Sequence, residues 1–215
     1  FLKLAIVSII GASIFGILEN LNFYFAEINL DTFFQLFYIW DRSLSFFGAA
    51  LAFIIYFFLL CKKNEQDILK WMDVIVPSVI LVLAFANIGA FFDGSNYGTE
   101  TSLPWGINFE SPLVKYTVPI HPTQIYSFIY SIAVFAGLIF ASKNEKVRNM
   151  GSGFTGILGL AIYNLLRFME EFLRGDDAIL VFGIRLPQIF SAIILASACG
   201  FLYFNYFKLQ RKPKK

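Results

Sequence analysis

The sequence has few of the residues that build metal centres and disulfide frameworks, because its 215 residues include one histidine and two cysteines. A single histidine excludes a metal centre built from several imidazoles. Cys61 and Cys199 lie in or at the edge of long apolar runs. A cysteine in that setting is typically a small buried apolar residue, so we predict neither a disulfide nor a metal pair. No cofactor is expected.

Charged residues are also scarce. They make up 15% of the chain, while hydrophobic residues make up 58%; an average soluble domain has about 25% charged residues. The net charge is only +2, and the basic C-terminal tail is short. These values exclude a typical nucleic-acid-binding protein. They indicate an all-α polytopic membrane protein instead.

Six runs are apolar enough to be membrane spans, which need about 20 mostly apolar residues each. They cover residues 2–18, 44–61, 71–92, 122–141, 151–173 and 188–207. We therefore expect a single transmembrane domain over residues 1–215, with six helices and a structured outer loop. The first run begins at once, without an initiator methionine, so we expect an earlier segment to precede it.

Lysine and arginine are distributed unequally between the two sets of predicted loops. Twelve fall on the side that holds both ends of the chain and four on the other side. The positive-inside rule then places both ends in the cytoplasm. Residues 19–43, 93–121 and 174–187 would lie outside, with 19–43 as an interfacial helix or loop because it mixes aromatic and acidic residues.

Charged residues stand near the end of the fifth apolar run. On a helix that turns about 100° per residue, one sector holds Tyr163, Asn164, Arg167, Glu170, Glu171 and Arg174. A charge at the centre of a bilayer costs roughly 2.5–3.5 kcal/mol, so such residues usually face a bundle interior or a wet cavity. We expect this charged stripe to do the same.

Four segments have unusual combinations of glycine, proline, aromatic and polar residues. They are MDVIVPS (Met72–Ser78), ANIGAFFDGSNYGTETSLPWGI (Ala86–Ile107), HPTQIY (His121–Tyr126) and RFMEEFLRGDD (Arg167–Asp177). In this order they resemble the motifs of the prolipoprotein diacylglyceryl transferase family. A weaker echo follows in RLPQIFS, Arg185–Ser191.

The resemblance implies a multi-pass enzyme of the bacterial plasma (inner) membrane with its site toward the outer leaflet. Such an enzyme takes diacylglyceryl from phosphatidylglycerol and places it on the thiol of the lipobox cysteine in the signal peptide of a preprolipoprotein. A thioether forms and glycerol phosphate is released. The implied partners are phosphatidylglycerol, the lipoprotein precursor and membrane lipid.

The chain departs from the family motifs at several positions. Asn87 stands where the family has arginine, Ala90 where it has asparagine, Phe47 where it has a functional histidine, and Ser127 where a glutamate follows the third motif. These departures motivate an alternative: a catalytically degenerate homologue that binds anionic phospholipid or a lipoprotein precursor without turnover. A transporter is a third possibility, since charged stripes also line transport paths.

Two residues are predicted to be catalytic. Arg167, which matches a family arginine, would bind the lipid phosphate through its planar donors and stabilise charge as the phosphate leaves; the alternative is a structural ion pair with Glu170 or Glu171. His121 would help to activate the thiol, since its pKa is ordinarily near neutrality. Its alternative role is to bind a loop carbonyl where a helix begins.

Substrate binding is predicted for a wider set: Asn87, Gly98, Gln124, Tyr126, Glu171 and Arg174. Asn87, Gly98 and Gln124 would line a headgroup pocket, with close helix packing as the alternative for the glycine-rich segment. Tyr126, like Gln124, offers a hydrogen-bond donor or only joins helices. Glu171 and Arg174 would orient Arg167, or form an interfacial salt-bridge network.

Three aspartates are given structural roles instead. Asp73 lies at the start of a predicted span, where it is expected to cap or anchor a helix. Asp176 and Asp177 are expected in a solvated turn.

Overall fold

The computed structural model describes residues 2–19, 44–111 and 113–208, and these are mostly helical. The predictions on residues 20–43, on the basic tail beyond residue 208 and on the Phe47 side chain lie outside the described part of the chain.

Every predicted span coincides with a helix. The α-helices are α1 (Leu2–Glu19), α2 (Phe46–Lys63), α3 (Ile68–Asp93), α4 (Thr123–Lys143), α5 (Glu145–Arg148), α6 (Phe154–Glu170) and α7 (Leu186–Leu202). A 3₁₀ turn over Glu171–Leu173 follows α6, and a π-helical turn over Tyr203–Lys208 follows α7. Strands β1 (Leu180–Val181) and β2 (Ile184–Arg185) form an antiparallel hairpin.

Three of the described helical segments are long and apolar enough to cross a bilayer: Ile68–Asp93, Thr123–Lys143 and Leu186–Tyr206. Leu2–Leu18 is apolar but shorter. The structure therefore supports a helical membrane protein, while the number of six spans remains a prediction.

The chain forms two compact units, residues 1–68 and 69–215. In the first unit, α1 and α2 approach closely where both helices have glycine. A Cβ on Gly11 would lie 2.7 Å from the Gly48 carbonyl oxygen, so neither position has room for a side chain. The backbone N–H of Ser45 donates to the Ala12 carbonyl at 3.0 Å, which fixes the start of α2 against α1.

In the second unit, α6 packs against α7 and α4. One apolar cluster joins α6 to α7 through Phe154, Ile157, Ala161, Ala198 and Leu202. A second cluster joins α3 to α4 through Val76, Ile80, Val134 and Leu138. Burial of these side chains holds the four long helices together.

Asp73 on α3 caps the first turn of α6 rather than the start of its own helix. Its carboxylate accepts from the Gly153 N–H at 2.7 Å and from the Gly156 N–H at 2.8 Å. These are backbone donors that the first turn of a helix leaves without an intrahelical partner. Asp73 thus caps a helix as predicted, but the helix is α6 and not the span that contains Asp73, and the contact ties α6 to α3.

The charged stripe is not carried by one continuous helix. The predicted helix over 151–173 is α-helical only from Phe154 to Glu170, because Gly153 has a left-handed backbone and the chain tightens to 3₁₀ geometry at Glu171. Arg174 follows with extended φ and ψ of −75° and 131°. It is therefore positioned by the loop and not by helical periodicity.

Backbone pairing with distant segments orders the loop after α3. This agrees with the prediction that this loop is structured. Gly98 pairs with Arg174, and both Glu100 and Ile107 pair with Ile120. These bridges bring the end of α3, the start of α4 and the end of α6 to one place in the second unit.

Because α3 and α6 approach closely, we expect alanine substitutions at two glycines to differ sharply in their effect on stability. A Cβ at Gly156 would lie 2.6 Å from the carbonyl carbon of Met72 and 3.0 Å from the Asp73 nitrogen. A Cβ at Gly137, inside α4, would meet nothing within 4 Å. Gly156→Ala should therefore lower the free energy of unfolding by about 1–3 kcal/mol, whereas Gly137→Ala should leave it unchanged or raise it by up to about 1 kcal/mol.

Thermal unfolding in detergent micelles checks this pair, since about 1 kcal/mol shifts the midpoint by roughly 2–4 °C in a chain of this size. Equal midpoints for the two variants would contradict the close packing of α3 against α6.

Candidate functional site

A polar cavity of about 200 Å³ lies in the second unit, where α3 and α6 end and α4 begins. It is lined by Leu83, Ala86, Asn87, Asn96, Ser127, Tyr130, Tyr163, Arg167 and Arg174. Two arginines, two amides, two phenols and a hydroxyl thus face one small space. Donors outnumber acceptors in this set, which suits an anionic or oxygen-rich ligand.

Arg167 presents its guanidinium to the cavity from the last turn of α6. Its Nη1 lies 2.6 Å from Glu171 Oε2 and 3.7 Å from Glu170 Oε1. These contacts are charge pairs, because no well-aligned hydrogen bond engages Nη1 within the described part of the chain. The side chain is 21% exposed. Arg167 is therefore held in place through Nη1, while no described residue accepts a hydrogen bond from its Nε or Nη2.

Glu171 is the carboxylate that holds Arg167. It is 1% exposed, and its second oxygen, Oε1, accepts a hydrogen bond from Arg185 Nε at 2.6 Å. Glu171 therefore lies between two arginines that are distant in the sequence. These contacts fit both predicted roles, since Glu171 holds Arg167 in place and also belongs to a salt-bridge network that includes Arg185.

Arg174 is held by the protein through its Nε and Nη2. Its Nε and Nη2 donate to Asp176 at 2.9 and 2.6 Å, Nη2 also donates to Asn96 Oδ1 at 2.6 Å, and Nη1 lies 3.5 Å from Glu170 Oε1. A planar guanidinium that binds a carboxylate through two nitrogens is strongly fixed. Arg174 thus forms a rigid, charged part of the cavity wall.

Asp176 joins Arg174 to Arg185. Arg185 Nη2 donates to its carboxylate and Nη1 to its backbone carbonyl, both at 2.8 Å. Burial alone would raise the pKa of Asp176, but the hydrogen bonds and charges of Arg174 and Arg185 outweigh it and hold the pKa below its ordinary value of 3.8. The expectation of a solvated turn is therefore wrong for Asp176, because both arginines fold back onto it.

Asp177 differs from its neighbour. It is 83% exposed and pairs with Lys115 at the surface. The expectation of a solvated residue is confirmed at this position.

Glu170 binds a phenol of the cavity wall. Tyr130 on α4 donates its hydroxyl proton to Glu170 Oε2 at 2.6 Å, and the ring centroids of Tyr130 and Tyr163 are 5.8 Å apart. The Glu170 side chain is only 3% exposed. This contact locks the end of α6 against α4 and sets the orientation of the phenol in the cavity.

Gly98 and Gln124 affect the cavity indirectly, because they hold the loop after α3 in place. Gln124 Nε2 donates to the Ser95 carbonyl at 2.6 Å. The Gly98 N–H donates to the His121 carbonyl at 3.1 Å, and a Cβ on Gly98 would lie 2.5 Å from that carbonyl oxygen. Both residues therefore hold the segment that positions Asn96, and neither lines the cavity.

His121 and Tyr126 form a separate group with Trp105. The Trp105 indole N–H donates to the Tyr126 hydroxyl at 2.7 Å, and that hydroxyl lies 3.3 Å from His121 Nδ1. A hydroxyl that accepts from Trp105 has its own proton available for Nδ1. His121 and Tyr126 are not among the residues that line the cavity.

The structure thus brings together only part of the predicted site. Asn87, Arg167 and Arg174 line one cavity, with Glu171 directly behind Arg167. The Asn87 amide donates to the Leu83 carbonyl at 2.8 Å, so it is fixed against its own helix.

Several cavity and network residues were not predicted as site residues from the sequence, namely Ser127, Tyr130, Asp176 and Arg185, whereas Asn96 was expected in the polar pocket at the end of the third span and does line the cavity. One signal was present: Gln124, Ser127, Tyr130 and Ser131 recur at three- and four-residue spacing in an apolar span. That spacing puts polar groups on one face of a helix. No comparable pattern marks Arg185, since contacts from the loop to Glu171 and Asp176 place it.

Comparison with known proteins gives a consistent result. The family model described as "Prolipoprotein diacylglyceryl transferase" matches residues 1–204. A phosphatidylglycerol–prolipoprotein diacylglyceryl transferase of Corynebacterium diphtheriae is 32% identical, over 92% of this chain and 73% of the relative. Proteins of the same name from Clostridium tetani and Finegoldia magna are 42% and 29% identical, over 60% and 88% of this chain and 51% and 71% of their own lengths.

The contrast between Asp176 and Asp177 can be tested with neighbouring substitutions. Asp176→Asn should lower the free energy of unfolding by about 1–3 kcal/mol, because a buried arginine loses a charged partner and meets an amide NH₂. Asp177→Asn, at the exposed position, is the matched control and should cost under about 1 kcal/mol. The measurement is the thermal unfolding midpoint in detergent at pH 7.

The same pair has a defined pH dependence. Because the folded-state pKa of Asp176 lies below 3.8, its contribution is fully present well above that value and is lost as the pH falls through the lower folded-state pKa. The midpoint difference between wild type and Asp176→Asn should be constant from about pH 5 to 8 and shrink below 3.8. A difference that grows in acid would refute the assignment.

Proposed function

The chain belongs to the prolipoprotein diacylglyceryl transferase family, and we propose that it transfers diacylglyceryl from phosphatidylglycerol to the lipobox cysteine of a preprolipoprotein. Family membership supports the reaction class, and the printed names of the relatives support the two substrates.

The observation on which this proposal depends is the state of Arg167. Of the two arginines that line the cavity it is the more exposed, at 21% against 6% for Arg174, and no described residue accepts a hydrogen bond from its Nε or Nη2. A guanidinium with free donors next to neutral amides and phenols is a suitable partner for a single phosphate group. In the proposal, the phosphate of phosphatidylglycerol binds there.

The chemistry requires charge stabilisation at that point. The thiol sulfur forms a bond to the glycerol carbon of the diacylglyceryl group, and the bond from that carbon to a phosphate oxygen breaks. Glycerol phosphate leaves with one more negative charge than the phosphodiester had, and the thiol proton is released. Arg167 would stabilise that added charge, which grows in the transition state and so contributes to rate.

The other predicted site residues have different roles in this proposal. Asn87 and Arg174 would line the headgroup space, and Glu171 would orient Arg167. Gly98 and Gln124 would hold the loop behind it. His121 remains a prediction as the group that activates the thiol. Its Nδ1 lies 3.3 Å from the Tyr126 hydroxyl and not beside a loop carbonyl, and Tyr126 contacts Trp105 of the loop rather than a second helix.

We propose six spans, with both ends in the cytoplasm and the cavity near the outer leaflet. The six helices that coincide with the apolar runs and the unequal loop charges support this arrangement. The cavity lies beside the loops that follow α3 and α6, which this topology places outside. A phospholipid headgroup and the thiol of an exported precursor would meet at that depth of a bacterial inner membrane.

The second candidate function is binding without turnover. Asn87 in place of a family arginine and Phe47 in place of a family histidine motivate it. Under this alternative the cavity binds anionic phospholipid or the lipoprotein precursor, Arg167 is needed for affinity, and no thioether forms.

The test is transfer of labelled diacylglyceryl from phosphatidylglycerol vesicles to a lipobox peptide, with the product identified by mass. Arg167→Gln should lower the rate by about 100-fold or more, as the loss of a charge-stabilising donor does in other active sites. Arg167→Lys should recover only part of the rate, since an ammonium lacks the planar fork. Arg148→Gln, on the exposed helix α5, is the control and should match wild type.

A lipobox peptide with serine in place of cysteine should give no product. Failure of the wild-type chain to form product, under conditions in which a family member is active, would overturn the transferase proposal. Binding of phosphatidylglycerol that is lost in Arg167→Gln would then support the second candidate. Equal rates for wild type and Arg167→Gln would overturn the role of Arg167.

A further inference from the structure

The hairpin between α6 and α7 exposes an unbroken apolar segment. Residues 178–184 read AILVFGI, without a charged or polar side chain, and we call this segment the apolar hairpin. Ile179, Leu180 and Ile184 are exposed by 70%, 63% and 49%, and Phe182 is completely exposed. An apolar segment of this kind is costly in water.

The backbone conformation of the hairpin turn is also unfavourable, independently of the exposed apolar side chains. The strand register pairs Val181 with Ile184, so Phe182 and Gly183 form a two-residue turn. Their φ values are 52° and 79°, both left-handed. Such turns are ordinarily made by asparagine or glycine, and a bulky aromatic residue is strained there. Phe182 therefore occupies the tip of the hairpin although phenylalanine disfavours a left-handed backbone.

The position of the hairpin indicates what covers it. Strand β2 ends at Arg185, and α7 begins at the next residue, Leu186. The Leu186 N–H donates to the Ile179 carbonyl at 2.8 Å, which closes the base of the hairpin onto the first residue of α7. Leu186–Tyr206 is long and apolar enough to span a bilayer, and a span that begins at Leu186 would place the hairpin at the membrane surface.

We propose that the apolar hairpin inserts its side chains into the lipid at the membrane face from which α7 begins. The absence of charge, the exposed phenyl ring at the tip and the direct continuity with a span all favour lipid as the partner. Aromatic and aliphatic groups at the interfacial depth of a bilayer gain from leaving water while the nearby charges stay at the surface.

This contact would have a consequence for the cavity. Arg185, at the end of β2, donates to Glu171 and to Asp176, and Glu171 holds Arg167. A chain of three side chains therefore connects the lipid-embedded segment to the cavity-lining cation. The apolar hairpin would fix the depth of Arg167 relative to the lipid headgroups.

The experiment measures membrane depth and does not depend on turnover. A nitroxide is attached at Phe182→Cys in a Cys199→Ala background; Cys61 is retained because it is buried. Two reference positions in the same background are Val82→Cys, an exposed residue in the middle of α3, and Glu100→Cys, an exposed polar residue of the loop after α3. The background protein without a new cysteine should take up little label.

The proteins are reconstituted in phosphatidylcholine–phosphatidylglycerol vesicles, and collisions of each label with oxygen and with a water-soluble nickel chelate are compared. Oxygen concentrates in lipid and the chelate in water. The ratio of oxygen to nickel collisions at Phe182 should exceed that at Glu100 severalfold and approach that at Val82.

A ratio at Phe182 equal to that at Glu100 would show a hairpin in water and overturn the proposal. Few collisions with either reagent would show that protein, such as a second copy of the chain, covers the tip, and would also overturn it. Circular dichroism of each labelled protein checks that the helices are intact. The measurement does not depend on diacylglyceryl transfer. The proposed membrane contact and the proposed transferase activity can therefore be refuted independently.

Discussion

The buried carboxylate of Glu171 is the interaction on which the site depends. It is 1% exposed and lies between Arg167, at the end of α6, and Arg185, at the start of α7. A buried charge is tolerated only when it is paired, and removal of Glu171 would deprive two arginines of a common partner. The pairing therefore fixes the ends of two helices and the hairpin between them. The position of the cavity-lining guanidinium follows from that.

The positive and negative side chains around the cavity are equal in number, and their pairing determines which donors are left for a ligand. Three arginines face three carboxylates in one network: Arg167, Arg174, Arg185, Glu170, Glu171 and Asp176. Asp176 and Asn96 accept hydrogen bonds from Nε and Nη2 of Arg174, whereas no described residue accepts one from Nε or Nη2 of Arg167. Buried ion pairs contribute little net stability. Their role here is to hold one cation in a defined place.

Much of the fold and part of the site could be predicted from the sequence. Long apolar runs must form helices in a bilayer, since backbone groups need internal hydrogen bonds there, and each predicted run contains a helix. Helical periodicity placed Tyr163 and Arg167 on one face, and both line the cavity. Asp176 was misjudged because its burial depends on Arg174 and Arg185, which reach it through loops that have no periodicity.

The sequence by itself determined the class of protein, the helices and the charged stripe, because composition and periodicity are local properties that a helix displays directly. The tertiary structure decided which polar residues share a cavity. His121 and Arg167 belong to matching motifs, yet only Arg167 lines it. The reason is physical: the bridge from Gly98 to Arg174 and the contacts of Glu171 join segments more than ten residues apart. Such pairings depend on close backbone approach and on paired charge, which no local pattern encodes.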